Sequence, residues 1–324
     1  MPKLLYYKML KFQPDNLEIL QKNFDLVSLE TPQDDTDEIL ADIEIAFAPL
    51  GFFYNKEKID RMPKLKVIAS NTTGEPHIDR EYAESKGIKV LSLKYEQEFL
   101  KTITPTAEHT FGLILALIRR TPWAYQSVLG GVWDRRPFGG KAMLSRMSIG
   151  IAGLGRLGKL VAQYAKAFQM AKILYYDPFV EKSDIEGMEK VGSLEEMVGQ
   201  SDIITIHIPA EKETYKIFNK ELFDKFKQGS FLINTSRAEL VDEKAMLEAL
   251  ESGRLAGAAI DVFDGEFEMN HDEFLRKSPL LAYAKTRDNL LITPHIGGST
   301  IDAWRLTERR VIDKIFEVLG KSQN

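Results

Sequence analysis

The sequence of 324 residues contains no cysteine, only five histidines and no apolar run long enough to span a bilayer. Without cysteine the chain can form no disulfide, no thiolate nucleophile and no thiolate metal site. Its longest clean apolar run, FGLILALI at 111–118, falls far short of the roughly 20 residues that a transmembrane helix needs. The amino-terminal MPKLLYYKML lacks the apolar core and cleavage site of a signal peptide. We therefore expect a cytoplasmic protein with no membrane partner.

An excess of positive charge is also missing, since 43 lysines and arginines stand against 48 aspartates and glutamates, a formal net charge of −5. Proteins that bind nucleic acid usually carry a basic face, so nucleic acid is not an expected partner. We expect no metal site either. At this length one hydrophobic core is usually replaced by two domains.

Strand-like apolar segments alternate with amphipathic helix-like segments along most of the chain, beginning with KLLYYKML, DNLEILQKN and DLVSL. Such alternation is typical of βαβ units and parallel sheets. A first α/β domain is predicted over 1–101 and a second over 102–296. The second starts with an apolar helix behind Thr104-Pro105 and a loop at 121–140 that has no clear period. The last helical segment, within 297–324, is expected to return to the first domain.

A glycine-rich turn in the second domain has the spacing Gly153-x-Gly155-x-x-Gly158. The spacing alone is common, but here a strand precedes it, a helix follows it, and Asp177 ends the next strand. Glycines permit close approach of a pyrophosphate to the helix N-terminus, and the acid can accept both ribose hydroxyls. This context predicts a dinucleotide site. Asp177 favours NAD because it would repel the 2′-phosphate of NADP, although Arg156 beside the turn could face such a phosphate.

Polar residues also follow the predicted strands of the second domain, at the edge where parallel sheets bind ligands. Arg237 comes after SFLIN, His295 after NLLIT, and Asp261 and Glu266 after LAGAAI. Histidine suits removal of a hydroxyl proton while hydride leaves the same carbon, because its pKa lies near neutrality. A carboxylate would hold the ring and favour imidazolium, and an arginine would grip a substrate carboxylate and polarise the adjacent carbonyl. The trio predicts oxidation of a secondary alcohol.

With these motifs the chain resembles the D-isomer-specific 2-hydroxyacid dehydrogenase family, which includes phosphoglycerate, glycerate and D-lactate dehydrogenases. The matching stretches are GIAGLGRLGK with Asp177, INTSRAELVDEKAMLEALESGRLAGAAIDVF and ITPHIGG, and TTGEPHIDREYAESKGIKV and TAEHTFGLILALIRR extend the match over most of the chain. The resemblance implies an α/β fold of two doubly wound parallel-sheet lobes, a flavodoxin-like substrate domain and a Rossmann NAD-binding domain. It implies hydride transfer between NAD(H) and a D-2-hydroxy acid or 2-oxo acid. It also implies a homodimer formed through the NAD-binding domain, with TAEHTFGLILALIRR and the following loop at the interface.

Roles for single residues follow from the same resemblance. Arg237 would bind and orient the substrate, His295 would be the base, and Glu266 would be its acid partner. The backbone of Thr73 and Gly74 would hold the substrate carboxylate. Asp261 would contact the nicotinamide amide. The implied NAD-binding residues are Gly153, Gly155, Arg156, Leu157, Gly158, Asp177, His207, Ile208, Pro209, Thr235, Ser236, Asp261 and Gly298.

The sequence departs from the family pattern close to the predicted acid. The usual Glu-Pro is Glu266-Phe267 here, and Glu268, two residues on, stays an alternative acid. The segment between Glu266 and His295 is longer than the family's short form. We expect this segment, FAPLGFF at 47–53 and the Thr73-Gly74 loop to determine substrate specificity. The absence of a cluster of basic residues dedicated to phosphate hints at an unphosphorylated substrate.

A competing hypothesis is an NAD(H)-sensing corepressor-like interaction protein on the same fold. Such a protein could survive loss of the catalytic trio, whereas all three members are present here, which favours the enzyme. Formate dehydrogenases, a third possibility, have glutamine where Glu266 stands. No regulatory domain is expected after the last helix. Of the other histidines, His207 is expected to line the cofactor or to be structural, and His109 to be structural.

Overall fold

The computed structural model describes residues 1–267 and 271–320. Within these residues the chain divides into two compact units: unit 1 holds 1–103, 267 and 300–320, and unit 2 holds 104–266 and 271–299. The boundaries expected from the sequence, 101/102 and 296/297, lie within three residues of these. The boundaries at 103/104 and 299/300 each coincide with a helix start, since Thr104 and Thr300 are N-cap residues.

Unit 1 contains a five-stranded parallel sheet in the order β2-β1-β3-β4-β5. The strands are β1 (Lys3–Tyr7), β2 (Asp25–Leu29), β3 (Ile45–Phe47), β4 (Val67–Ala69) and β5 (Lys89–Leu91). The helices that precede residue 104 are α1 (Pro14–Asn23), α2 (Asp37–Leu40), α3 (Lys56–Asp60), α4 (Arg80–Ser85) and α5 (Gln97–Leu100), with 3-10 turns at Lys8–Leu10 and Pro32–Asp34. This strand order is that of a flavodoxin-like doubly wound sheet, so the predicted fold class is confirmed for unit 1.

Unit 2 contains a seven-stranded parallel sheet in the order β12-β11-β10-β9-β6-β7-β8. The strands are β6 (Ser148–Ala152), β7 (Lys172–Tyr176), β8 (Met188–Lys190), β9 (Ile203–Ile206), β10 (Ser230–Asn234), β11 (Leu255–Ile260) and β12 (Leu290–Ile292). The helices are α6 (Pro105–Ile118), α7 (Thr121–Leu129), α8 (Arg156–Ala167), α9 (Leu194–Gln200), α10 (Lys220–Phe223), α11 (Glu243–Glu251), α12 (His271–Lys277) and α13 (Pro279–Ala284). Further 3-10 turns lie at Arg136–Phe138, Leu144–Arg146, Lys212–Thr214 and Ala238–Leu240. The predicted Rossmann-type sheet is thereby confirmed.

The two faces of the unit 2 sheet are covered by different helices. Alternate strand residues point to opposite faces, so Ile203 packs with α6 and α8 while Ile204 packs with α9, α10 and α11. Burial on both faces explains why these strands are almost wholly apolar rather than alternating. Polar residues follow the carboxyl ends of several of these strands, among them Asp177, His207 and Asp261.

The last helix, α14 (Ile301–Leu319), belongs to unit 1. Its apolar face packs Val311, Ile315 and Phe316 into the same core as β1 and β3. Its buried Glu308 accepts hydrogen bonds from the Gln13 N–H, at 2.8 Å, and from the Asn16 side chain, at 2.9 Å. The helix therefore completes a core that starts at the amino terminus.

One expectation about local structure is wrong. The sequence suggests an irregular loop over 121–140, but residues 121–129 form α7, with Pro122 in its first turn. Arg120 at φ 55° separates this helix from α6, and Gly130 and Gly131 end it. Among the described residues, none of the helices has the length and apolar character required to cross a membrane.

Candidate active site

Three neighbouring strands of unit 2 deliver predicted site residues to one edge of the sheet. Asn234 of β10 pairs with Ile260 of β11, which pairs with Ile292 of β12. The residues after these three positions therefore emerge side by side, because parallel strands in register end together. They are Thr235–Arg237, Asp261–Glu266 and Thr293–His295. Ligands of open α/β sheets bind at this edge.

A histidine–glutamate pair lies at the ends of β11 and β12. Nδ1 of His295 is 2.7 Å from Oε2 of Glu266. The Glu266 side chain is only 10% exposed, whereas that of His295 is 36% exposed. An ionised carboxylate can only accept, so neutral His295 carries its proton on Nδ1, and Nε2 is the basic nitrogen. Glu268, the alternative acid, lies outside the described residues.

The turn that carries His295 has an unusual backbone. His295 is in the left-handed region at φ 51°, a conformation that costs a non-glycine residue about 1 kcal/mol or more. The turn is held by Asp261, whose Oδ1 accepts the N–H of Ile296 at 2.9 Å and whose Oδ2 accepts that of Gly297 at 2.7 Å. A side chain at Gly297 would meet the same carboxylate at 2.9 Å. The ring of His295 is thus placed by its backbone as well as by Glu266.

Asp261 itself is 1% exposed. Burial opposes its ionisation, but hydrogen bonds from His109, Thr293 and the two backbone N–H groups outweigh burial and hold its pKa below the ordinary value. Its carboxylate is therefore ionised and engaged inside the protein. Contact with a nicotinamide amide stays a prediction.

Arg237 follows β10, the strand next to β11. Its backbone is extended, its Nη1 donates to the Ser236 carbonyl at 2.7 Å, and its own carbonyl accepts the Asn234 side-chain N–H at 2.8 Å. The residue is partly buried. These bonds hold the backbone of Arg237 and one nitrogen of its guanidinium at the edge that also carries His295 and Glu266.

The glycine-rich turn joins β6 to α8 and is built for close backbone contact. Gly153 has φ 89°, and a Cβ there would lie 2.7 Å from the His207 carbonyl oxygen. A Cβ on Gly158 would lie 2.1 Å from the carbonyl oxygen of Gly153. Beside Gly155, by contrast, a Cβ would meet no described atom within 4 Å, so the turn is tight inside and open at the helix N-terminus. An open, positive helix N-terminus fits a pyrophosphate.

Asp177 comes directly after β7, beside this turn, and is almost fully buried. Its Oδ2 accepts the N–H of Leu154 and its Oδ1 that of Phe179, both at 2.8 Å. The carboxylate is thus locked to the glycine-rich turn, where the ribose of a bound dinucleotide lies in Rossmann folds. Burial lowers the pKa of nearby Arg156.

Other predicted cofactor residues surround the same edge. The Ser236 hydroxyl donates to the Ile208 carbonyl at 2.6 Å, and the Thr235 hydroxyl lies 2.7 Å from that of Thr110. Burial lowers the pKa of His207 to about 4, so its ring is neutral. Leu157 is on α8 and packs partly against the core, Pro209 follows β9, and Gly298 follows the His295 turn.

Thr73 and Gly74 are in unit 1, in the loop that follows β4. Their loop is anchored on one side by the Leu93 N–H, which donates to the Thr72 carbonyl at 3.0 Å. On the other side buried Glu75 binds Arg80 at 2.6 Å and accepts from the Ser92 hydroxyl at 2.7 Å. The loop is therefore ordered within its own unit.

Two residues of the site are absent from the sequence prediction. Nε2 of His109 on α6 is 3.1 Å from the Thr293 hydroxyl oxygen and 3.4 Å from Oδ1 of Asp261. The Thr293 hydroxyl donates to the same Oδ1 at 2.5 Å. No spacing in the sequence links His109 to a strand end 184 residues away. For Thr293, the sequence shows only that it stands at the predicted strand end, just before Pro294 and His295.

Comparison with known proteins identifies close relatives. The profile of the "D-isomer specific 2-hydroxyacid dehydrogenase, NAD binding domain" matches residues 111–297. A D-3-phosphoglycerate dehydrogenase of Methanocaldococcus jannaschii is 35% identical over 87% of this chain and 51% of its own length. A hydroxypyruvate reductase of Thermotoga maritima is 33% identical over 93% of this chain and 92% of its own length. The chain thus spans about half the length of the phosphoglycerate dehydrogenase and most of the reductase.

Solved structures agree with these relatives. The D-lactate dehydrogenase of Aquifex aeolicus, complexed with NAD and lactic acid, has a TM-score of 0.79 and 30% identity. The match covers 99% of this chain and 96% of that one.

Proposed function

Because this chain belongs to the D-isomer-specific 2-hydroxyacid dehydrogenase family, we propose that it transfers a hydride between NAD(H) and carbon 2 of a D-2-hydroxy acid or 2-oxo acid. One observation carries the proposal: the 2.7 Å contact between His295 and Glu266. The pair stands at the sheet edge that also carries Arg237 and the dinucleotide cradle. When bound, NAD(H) supplies or accepts the hydride.

His295 is the proposed acid–base group. With its Nδ1–H held by Glu266, Nε2 takes the hydroxyl proton as the alcohol is oxidised, and returns it to the carbonyl oxygen in reduction. The charge that appears on the ring is stabilised by the Glu266 carboxylate. In either direction one proton moves between Nε2 and the substrate oxygen.

Arg237 is the proposed substrate-binding cation. Its guanidinium matches a carboxylate in bidentate geometry, and the same positive charge stabilises negative charge that develops on the neighbouring oxygen. The N–H groups of Thr73 and Gly74 are proposed to bind the substrate carboxylate as well, supported by the ordered conformation of their loop.

The NAD-binding roles proposed for the glycine-rich turn and Asp177 are supported by the fit of the cradle. Gly155 leaves space for a pyrophosphate, and the buried carboxylate of Asp177 puts negative charge where NADP would place its 2′-phosphate. We therefore expect NADH to be preferred over NADPH.

The first test is oxidation of NADH by the pure protein with a panel of 2-oxo acids, repeated with NADPH. The panel should contain the oxo acids that correspond to the substrates in the relatives' names: glyoxylate, hydroxypyruvate, pyruvate and phosphohydroxypyruvate. Turnover of one or a few of these oxo acids would establish the reaction class. Tight NADH binding without any turnover would contradict the proposal and favour a cofactor-sensing, corepressor-like protein.

Variants then separate the proposed roles. His295→Ala should lower kcat/KM by about 10²- to 10⁴-fold, the usual range for a general acid–base group, with NADH affinity retained. Arg237→Ala should chiefly raise KM for the oxo acid, and Glu266→Gln should lower kcat less than His295→Ala does. A His295→Ala protein with near wild-type kcat would remove this residue from the mechanism. NADH affinity, measured by fluorescence, is the control for intact folding.

A homodimer formed through unit 2 is proposed on the same basis. Residues 125–133 expose several large apolar side chains, with Trp133 90% and Leu129 62% accessible. Exposed apolar patches of this type mark interaction surfaces.

A further inference from the structure

His109 and Thr293, both partly buried, form a polar cluster with the buried Asp261 behind the turn of His295. They come from three elements of unit 2: the first turns of α6, the end of β11 and the end of β12. His109 Nε2 lies 3.1 Å from the Thr293 hydroxyl oxygen, which lies 2.5 Å from Asp261 Oδ1. The shared carboxylate also holds the backbone after His295.

The direction of each hydrogen bond in this cluster follows from counting protons. Asp261 is ionised and can only accept, so the single hydroxyl proton of Thr293 points to it. The Thr293 oxygen is then an acceptor toward His109. His109 must therefore donate from Nε2, and when neutral it carries its proton there. The nearby Asp261 Oδ1, at 3.4 Å, favours the same arrangement.

The cluster is connected to His295 through the backbone. Asp261 binds the N–H groups of Ile296 and Gly297, and the His295 N–H donates to the Thr293 carbonyl at 3.0 Å. Thr293 and Asp261 thus define both ends of a turn whose central residue has left-handed φ. A buried polar group without its partner destabilises the groups around it, so loss of the His109 donor should loosen this turn.

We infer that His109 is a positioning residue: it donates through Nε2 to Thr293 and Asp261 and thereby keeps the His295 ring aligned with Glu266. It is not assigned as a catalytic residue, because the groups it binds, Thr293 and Asp261, are not the ones proposed to carry the transferred proton. This inference rests on the proposed role of His295 as the acid–base group.

The kinetic test compares His109→Leu, which removes the donor, with His109→Gln, whose amide nitrogen can replace Nε2. A misplacement of about 1 Å can cost about 10²-fold in rate, so we expect His109→Leu to lower kcat by about 10- to 100-fold. The Kd of NADH should change little, and His109→Gln should recover most of the loss. Thr293→Val should be damaging alone, yet add little to His109→Leu, because both remove one interaction.

A matched control is Met246→Ala, which removes a buried side chain on α11 in the same unit, away from the cluster. It should lower the melting temperature but leave kcat as in wild type. The inference is overturned if His109→Leu keeps wild-type kcat, if His109→Gln is as impaired as His109→Leu, or if Met246→Ala causes an equal loss of kcat.

A second measurement does not depend on turnover. Hydrogen exchange of the Ile296 and Gly297 amides should become faster in His109→Leu than in Met246→Ala, and remain near wild type in His109→Gln. Unchanged exchange in His109→Leu would overturn the inference even if the enzyme is active. Absence of turnover in the wild-type protein, together with faster exchange in His109→Leu, would instead reject the proposed function and leave the structural role of His109 standing.

Discussion

His207 combines burial with incomplete hydrogen bonding. Its Nε2 lies 2.9 Å from the Thr205 hydroxyl oxygen, while its Nδ1 is buried and has no partner within the described part of the chain. Burial lowers its pKa to about 4. As the pH falls, such a histidine is protonated in the unfolded state at a higher pH than in the folded state. Folding stability from this residue is therefore complete above the unfolded pKa of about 6.5 and is lost as the pH falls toward 4.

We predict that the cofactor-free protein loses more stability between pH 7 and pH 5 than a His207→Asn variant does. The difference should be about 1 to 2 kcal/mol, since the folded ring resists protonation across this interval. Urea unfolding at the two pH values measures it. His271→Asn, which removes a histidine with a 54% exposed side chain, is the control and should behave as wild type. Equal losses in wild type and His207→Asn would contradict the prediction.

A buried ion pair in unit 1 should contribute far more to the free energy of unfolding than an exposed one does. Lys58 binds Asp35, whose side chain is 2% exposed and also accepts from the Tyr7 hydroxyl at 2.9 Å. Removing one partner of a buried pair leaves the other charge uncompensated, so Asp35→Ala should lower the free energy of unfolding by about 3 to 5 kcal/mol. Asp42→Ala also breaks contacts with two lysines, but at the surface, and should have a much smaller effect. Similar unfolding midpoints in the two variants would refute this ranking.

Individual residues differ in how far the sequence reveals them. Arg237, His295 and Glu266 were predicted because each follows a recognisable strand and the chemistry of the three is complementary. Spacing favoured Glu266 but left Glu268 as an alternative, since both acids lie in the same loop. A structural role was expected for His109, but its contacts with the site could not be predicted, because its partners come from strands far along the chain and its environment exists only after they fold.

At the scale of elements, the turn between β6 and α8 allows a sharp contrast between two glycines. Gly158→Ala would bring a Cβ to 2.1 Å from a carbonyl oxygen, and we expect it to destabilise the protein by about 3 kcal/mol. Gly155 has φ −73° and open space beside it, so Gly155→Ala should change stability by less than about 0.5 kcal/mol. The same variant should weaken NADH binding about tenfold or more, equivalent to about 1.4 kcal/mol.

Thermal unfolding and NADH titration of both variants check this prediction. Full NADH affinity in Gly155→Ala would show that the pyrophosphate does not approach this position. A stable Gly158→Ala protein would show that the helix can move away from the turn.

Elements with a regular apolar pattern were predictable, and those without one were not. Most strands of the two sheets are short, apolar and bounded by polar residues, with β8 (Met188–Lys190) an exception, so the parallel α/β class follows from their alternation with helices. The helix α7, nine residues that start at Thr121, was not predicted. The glycines, tryptophans and arginines in and around it are typical of a loop. Many of its side chains are exposed, so no buried face provided a 3.6-residue period.

For the whole molecule, we predict a mass in solution of about twice 36.8 kDa. Leu129→Glu combined with Val132→Glu places charge on side chains that are 62% and 55% exposed, and should shift the mass to that of a monomer because a dimer would bury both charges unpaired. Tyr95→Glu, at a 70% exposed aromatic residue of unit 1, is the matched control and should stay dimeric. Light scattering coupled to size exclusion distinguishes these outcomes. A monomeric wild-type protein would contradict the proposal.

The return of α14 to unit 1 has a consequence for synthesis. Residues 1–103 leave the ribosome first, yet the apolar face formed by Leu4, Phe24 and Phe47 receives Val311 and Phe316 only when α14 has been made. Unit 2 lies almost wholly between residues 1–103 and α14 in the sequence. It can therefore fold before α14 has been made and unit 1 is complete. Of these two parts of the chain, the one that is translated earlier therefore completes its core later. During that interval its uncovered core is the part of the nascent chain most exposed to aggregation and to chaperones.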